Sequence, residues 1–172
     1  MLGILRTRRS IRKFQDRPLT NESIEVLEEA ILRAPSAKNL KSWEYIIVDD
    51  KNLLQKLSEV RGGSSSFISG ASAAIVFLGN EKTTDTWVED ASLAAMIAQL
   101  TASSLGLGSC WAQIRNRDHS PQKSAEDYVR ELLDIPRHFR VVCVIAVGYP
   151  AEEKAPVAKE DLPFEKIHRN RF

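Results

Sequence analysis

TWVEDASLAAMIAQLTASSLG (residues 86–106) is the longest stretch of this chain with the composition of a single helix. From Ala91 to Ala102 the residues are apolar or small on every side, so no face of this helix suits exposure to water. We therefore expect it to be enclosed, either by the core of its own subunit or by a partner subunit. Gly106 predicts the C-terminal cap, because glycine readily adopts the left-handed conformation that ends helices.

Strand and helix patterns alternate on both sides of this helix. AAIVFLG (73–79) is a continuous apolar run, typical of a strand buried on both faces, and RVVCVIAVGYP (140–150) predicts another buried strand. Shorter strands are predicted at WEYIIVDD (43–50) and SCWAQI (109–114). Helices are predicted at residues 3–7, NESIEVLEEAILRA (21–34, capped by Thr20 and ended by Pro35), KNLLQKLSEV (51–60) and SAEDYVRELLD (124–134). The alternation predicts one mixed α+β or α/β domain over residues 1–172.

Positive charge is concentrated at the two ends of the chain, although the net charge is only +1. RTRRSIRKF (6–14) surrounds Ser10 with cations, and KIHRNRF (166–172) adds more. If both ends lie on one face, five arginines repel one another unless an anion lies between them: Arg8, Arg9, Arg12, Arg169 and Arg171. Arginine and serine donors suit phosphate oxygens, which favours a phosphorylated small molecule. Solvated arginines at frayed ends are the alternative.

The basic segment and the long uncharged stretch raise two other possible partners, nucleic acid and a membrane. The basic segment 6–14 holds no aromatic residue besides Phe14, and the chain has no recognisable reading helix or zinc spacing. Residues 91–114 are uncharged, but polar residues and a Gly-Leu-Gly break interrupt the run, which argues against a membrane span. We expect neither partner.

The cysteines and the N-terminal sequence indicate the cellular compartment of the protein. Cys110 and Cys143 lie in apolar runs, which favours buried, reduced thiols over a disulfide framework. No secretion signal is visible. We expect a cytoplasmic protein.

Few residues of this chain suggest catalysis by the protein alone. It contains no Cys-x-x-Cys, His-Glu-x-x-His, Walker loop or Gly-x-Ser-x-Gly pattern. LGLGSC (105–110) follows a helix and enters a strand, the reverse of the dinucleotide-binding order. If the protein is an enzyme, we expect a bound cofactor to supply the chemistry, with no catalytic side chain and no metal.

Four motifs, in order, resemble the nitroreductase family of FMN-dependent oxidoreductases: RRSIRKF (8–14), APSAKNLKSWEYIIV (34–48), GLGSCW (106–111) and HRNRF (168–172). The resemblance spans almost the whole chain and is to the short members of the family. It implies an α+β fold with a mixed central sheet flanked by helices. It further implies an intertwined homodimer with two interfacial flavin sites, and a tail (residues 160–172) that packs on the partner subunit.

The resemblance also implies which residues bind FMN. The flavin phosphate is held by Arg8, Ser10 and Arg12, with Arg9 alongside, and the cage is completed by Arg169 and Arg171. The loop that reaches the flavin of the neighbouring subunit contains Pro35, Ser36, Ala37 and Asn39. The strand end along the isoalloxazine ring is formed by Trp111, Ala112, Gln113 and Ile114.

This chain departs from the family pattern at two places. Gln113-Ile114-Arg115 stands where many relatives have small glycines, or an acidic residue followed by glycine, so the shape beside the ring changes. No residue matches the asparagine that commonly contacts the flavin pyrimidine ring; residues 62–66 are the place where it is expected.

The reaction implied is a two-electron, ping-pong transfer from NADH or NADPH through FMN to a small nitroaromatic or quinone acceptor. Two alternatives stay open. One is a different reaction on the same fold, such as dehalogenation, enone reduction or flavin breakdown. The other is a flavin-binding protein without turnover.

Overall fold

The computed structural model describes residues 1–172, and its helices and strands follow the predicted order. The helices are α1 (Leu2–Thr7), α2 (Asn21–Leu32), α3 (Lys51–Ser58), α4 (Trp87–Ser104) and α5 (Ala125–Leu132). The strands are β1 (Trp43–Val48), β2 (Ala73–Asn80), β3 (Gly108–Gln113), β4 (Asp118–Ser120), β5 (Lys123–Ser124) and β6 (Phe139–Gly148). Short 3-10 helices lie at Ala37–Asn39, Gly62–Gly70, Lys159–Asp161 and Phe164–Lys166.

The central sheet has the strand order β1-β2-β6-β3, and every neighbouring pair is antiparallel. Its parallel component is a bridge between Ser10, in the basic N-terminal segment, and Ser109 of β3. This bridge makes the sheet mixed. Antiparallel strands with separate helices select α+β over α/β, because an α/β layer is built on parallel strands. The strands β4 and β5 form a separate small hairpin that the sequence patterns do not predict.

Helices cover both faces of the sheet. Consecutive strand residues point to opposite faces, so each buried strand contributes apolar side chains to both layers. Phe77 and Ile145 pack with α2 and α4 on one face. Val76 and Val144 pack on the other face with α3, α5 and the segment Gly62–Gly70.

The long helix α4 is enclosed by its own subunit on one side only. Its fully buried residues are small: Ala91, Ala94, Ala95, Ala98 and Ala102. Small side chains let the helix lie close to the sheet, whereas Leu93 on the opposite side is 50% exposed. Gly106 has a φ of +73°, which confirms the predicted cap. One apolar face of α4 therefore lacks a cover within the single chain.

The basic N-terminal segment runs beside β3 and the chain that follows β6. Ile11 N donates to Ser109 O (3.0 Å), and Ala151 N donates to Lys13 O (2.9 Å). The basic segment approaches β3 closely only because residue 108 is glycine, since a Cβ there would lie 2.8 Å from Ile11 Cβ. The tail is different, since every residue from 155 to 172 is exposed.

Candidate functional site

The basic segment presents two arginines without partners on either side of a serine. An extended backbone places alternate side chains on the same side, which groups Arg8, Ser10 and Arg12. Neither Arg8 nor Arg12 makes a side-chain hydrogen bond or ion pair; the Arg12 guanidinium lies 5.9 Å from the centroid of the Phe67 ring. Two guanidinium groups held without a carboxylate partner favour an anionic ligand.

Arg9 has a different role in the structure from its neighbours. Its Nη1 donates to Ala155 O, so this guanidinium fastens the segment to the chain after β6. The segment is also anchored by Ile11, which is buried beside Gly108. Both contacts orient the backbone that carries Arg8, Ser10 and Arg12.

An open cleft of about 730 Å³ lies next to the basic segment. It is bounded by Arg8 and Arg9, by the C-terminal end of α4, by the start of β3 and by residues 150–156. This volume lies within the range of small-molecule sites. The cleft provides space for a ligand whose anionic end meets Arg8.

The free edge of β3 continues from this cleft. Because Ser109 O accepts from Ile11 N, the backbone groups of Ser109 point away from β6 and toward the basic segment. Alternation sends the backbone groups of Trp111 and Gln113 to the same side of the strand. The next residues face β6, as Ile114 N shows by donating to Val142 O (3.2 Å). The edge therefore offers backbone donors and acceptors to a planar ligand.

The side chain of Gln113 is fixed by two hydrogen bonds. Trp111 Nε1 donates to Gln113 Oε1 (2.9 Å), and Gln113 Nε2 donates to Arg115 O (3.0 Å). Ile114 is fully buried, and the Arg115 guanidinium lies 5.6 Å from the Trp87 ring centroid. The departure from the family's small residues thus adds a fixed amide and a cation at this strand end.

Asp90, near the start of α4, holds the loop that contains Pro35–Asn39. Its carboxylate accepts from Ala37 N and from Ser42 Oγ, both at 2.9 Å, and the residue is 3% exposed. Within this loop Lys38, Asn39 and Lys41 have φ values of 50°, 57° and 49°. Left-handed backbone at residues other than glycine is costly and clusters at functional sites.

Asp90→Ala is expected to lower the free energy of unfolding by about 1–3 kcal/mol, because the Ala37 amide and the Ser42 hydroxyl lose their buried acceptor. Urea unfolding measures the change. Glu89→Ala, an exposed position in the same helical turn, is the matched control and should stay within about 0.5 kcal/mol. Equal effects of the two substitutions would show that Asp90 does not hold the loop.

The structure brings only part of the predicted site together in one chain. Arg8, Arg9, Ser10 and Arg12 meet the start of β3, which lies at the C-terminal end of α4. The loop Pro35–Asn39 lies at the opposite end of this helix, which has 18 residues and is about 27 Å long. Arg169 and Arg171 are exposed and make no hydrogen bond or ion pair. Their roles at the flavin stay predictions.

Neither cysteine is an activated nucleophile. Burial raises the pKa of Cys110, and it raises the pKa of Cys143 well above the ordinary value. Both groups are therefore neutral thiols at physiological pH. No group of three or more His, Cys, Asp or Glu side chains is arranged to hold a metal ion. No helix is long and apolar enough to cross a bilayer.

Fold and site together define an α+β protein with a basic segment and a cleft beside the edge strand of its sheet. Comparison with known proteins identifies the family within this fold class. The chain belongs to the nitroreductase family, whose model matches residues 5–64 and 59–149.

Individual relatives agree with this assignment. A structure described as an FMN-dependent nitroreductase from Clostridium difficile R20291 is 44% identical, with full coverage of both chains and a TM-score of 0.98. An Archaeoglobus fulgidus protein named as an NADH dehydrogenase/NAD(P)H nitroreductase is 36% identical over 99% of this chain and 98% of its own length. A Staphylococcus aureus NADPH-dependent oxidoreductase is 26% identical over 99% of this chain and 73% of its own length.

Proposed function

We propose that this protein is an FMN-dependent NAD(P)H oxidoreductase. The observation that carries the proposal is the pair of unpartnered arginines, Arg8 and Arg12, beside Ser10 at the start of β3. The family and the names of the relatives described above support FMN as the cofactor and NADH or NADPH as the donor. Bound FMN supplies two-electron chemistry, since it accepts a hydride and passes electrons on to a second substrate.

The protein's own part is binding and orientation. Arg8 and Arg12 pair with the phosphate, and Ser10 adds a hydroxyl donor. The backbone amides of Trp111 and Gln113 would face the bound ring, where fixed donors would stabilise negative charge. The chain offers no activated nucleophile, which fits chemistry confined to the cofactor.

The apolar surface that one subunit leaves exposed supports a homodimer. Leu93 on α4, together with Phe164 and Ile167 in the tail, exposes between 50% and 69% of its surface. We propose that a second subunit covers this face of α4 and receives residues 160–172. In this arrangement the loop Pro35–Asn39 of the partner subunit reaches the flavin site, and Arg169 and Arg171 lie near the flavin phosphate. We propose that the enzyme is cytoplasmic and has no nucleic-acid or membrane partner.

We further propose that donor and acceptor use one open pocket in turn, in a ping-pong order, with nitroaromatic or quinone compounds as acceptors. The test is anaerobic mixing of the yellow protein with NADH or NADPH, followed by the acceptor. Bleaching by the donor and recovery of colour with the acceptor are expected. A flavin that neither donor bleaches would favour a binding protein without turnover.

A further inference from the structure

Residues 151–155, which follow β6, form a strap over the basic segment. Glu152 Oε1 accepts from Arg12 N (2.6 Å) and from Lys13 N (3.2 Å). Lys154 Nζ donates to Ser10 O (2.7 Å) and lies 3.3 Å from Glu152 Oε1. The strap therefore holds the backbone of the proposed phosphate site at Ser10 and Arg12, and that of the adjoining Lys13.

Glu152 is a carboxylate in a strongly cationic neighbourhood, yet its side chain does not pair with the arginines. Hydrogen bonding from the Arg12 amide, followed by that from Lys154, lowers the pKa of Glu152, so the group stays ionised at physiological pH. Its Oε1 accepts from two main-chain amides and pairs with Lys154 instead of an arginine side chain. The guanidinium groups of Arg8 and Arg12 consequently remain available to an anion.

We propose that Glu152, assisted by Lys154, is a positioning residue that holds the backbone of residues 10–13 in the shape that binds the flavin phosphate. This inference rests on the proposed function. It assigns Glu152 no contact with the cofactor, since its effect passes through the amides of Arg12 and Lys13.

The sign of the effect separates positioning from simple electrostatics. A carboxylate near a bound phosphate repels it, so removing any nearby acidic side chain should tighten FMN binding if charge alone matters. If Glu152 positions the segment, its removal should weaken binding instead. Glu153 provides the matched control, because it borders the same cleft and makes no hydrogen bond or ion pair.

The experiment measures the dissociation constants of FMN and riboflavin, by quenching of flavin fluorescence, for the full chain freed of bound flavin. Glu152→Ala is expected to raise the constant for FMN about 10-fold, the equivalent of one charged hydrogen bond. Riboflavin, which lacks the phosphate, should bind Glu152→Ala and the unsubstituted protein equally. Glu153→Ala should bind FMN as tightly as the unsubstituted protein, or more tightly.

Three results would overturn the proposal: unchanged or tighter FMN binding by Glu152→Ala, an equal loss for riboflavin, or an equal loss in Glu153→Ala. If Glu152→Ala does not fold, Glu152→Gln keeps the shape and a neutral acceptor, and a smaller, phosphate-specific loss is expected; no loss contradicts positioning. An unsubstituted protein that binds neither flavin overturns the proposed function, and the inference with it.

Discussion

Replacing Arg8 and Arg12 together by alanine is expected to weaken FMN binding by about 100- to 10,000-fold. Each guanidinium that pairs with a phosphate contributes about 1.5–3 kcal/mol, and each factor of ten in affinity corresponds to about 1.4 kcal/mol. Neither side chain makes a hydrogen bond or ion pair within the protein, so their removal leaves no polar group unpaired. Fluorescence titration with FMN measures the loss directly.

A control with the same loss of charge is available in the same segment. Arg6 and Lys13 are exposed, and their side chains make no hydrogen bond or ion pair. The double substitution Arg6→Ala, Lys13→Ala should change FMN affinity only slightly, because neither side chain is a proposed phosphate donor, the Lys13 amide that Glu152 holds is retained, and exposed charges are screened by salt. Equal losses of affinity in the two double variants would show that the segment attracts FMN only through its overall positive charge. Full FMN affinity in Arg8→Ala, Arg12→Ala would show that these arginines do not bind the phosphate.

The second large effect is expected at Glu126, whose replacement by alanine should lower the free energy of unfolding by about 1.5–3 kcal/mol. This carboxylate joins α5 to β6, and its side chain is only 11% exposed. It accepts from Arg140 Nε (2.7 Å) and Nη2 (2.9 Å), from Arg130 Nη2 (3.3 Å) and from Val141 N (3.1 Å). Its hydrogen bond is also the main cause of the raised pKa of Arg140.

The cost arises because alanine removes the carboxylate that two guanidinium groups share and leaves the buried Val141 amide without its acceptor. Arg140 keeps its ion pair with Glu81, and Arg130 keeps the one with Asp127. Arg130 already has a buried Nε without a partner. Glu131→Ala on the same helix is the control, since its ion pair with Lys123 is solvent-exposed and contributes at most about 1 kcal/mol. Urea unfolding of both variants tests the difference. Similar costs would show that the Glu126 network contributes no more than a surface pair.

Hydrophobic periodicity predicted the main helices and the strands of the central sheet, but not how they pair. The strand order depends on contacts between distant segments, such as β2 with β6, that a local pattern does not contain. The β4–β5 hairpin was missed because DHSPQKS (118–124) is polar and shows no strand alternation. For α4, composition predicted burial without indicating what covers Leu93.

The candidate site was predictable where the residue type carries the chemistry. Arginines near Ser10 indicated an anion, but only the structure separates Arg9, bound to Ala155 O, from Arg8 and Arg12. Glu152 and Asp90 were missed because their partners are distant in sequence: Arg12 lies 140 positions from Glu152, and Ala37 lies 53 positions from Asp90. No short motif records such pairings.

The visible absorption spectrum of the purified, dialysed protein tests the central claim most directly. FMN held by Arg8, Ser10 and Arg12 predicts flavin absorption bands that survive dialysis, or that appear stoichiometrically when FMN is added. A colourless protein that takes up no added FMN, yet binds DNA in a salt-dependent manner, would contradict the account and assign the basic segment to nucleic acid.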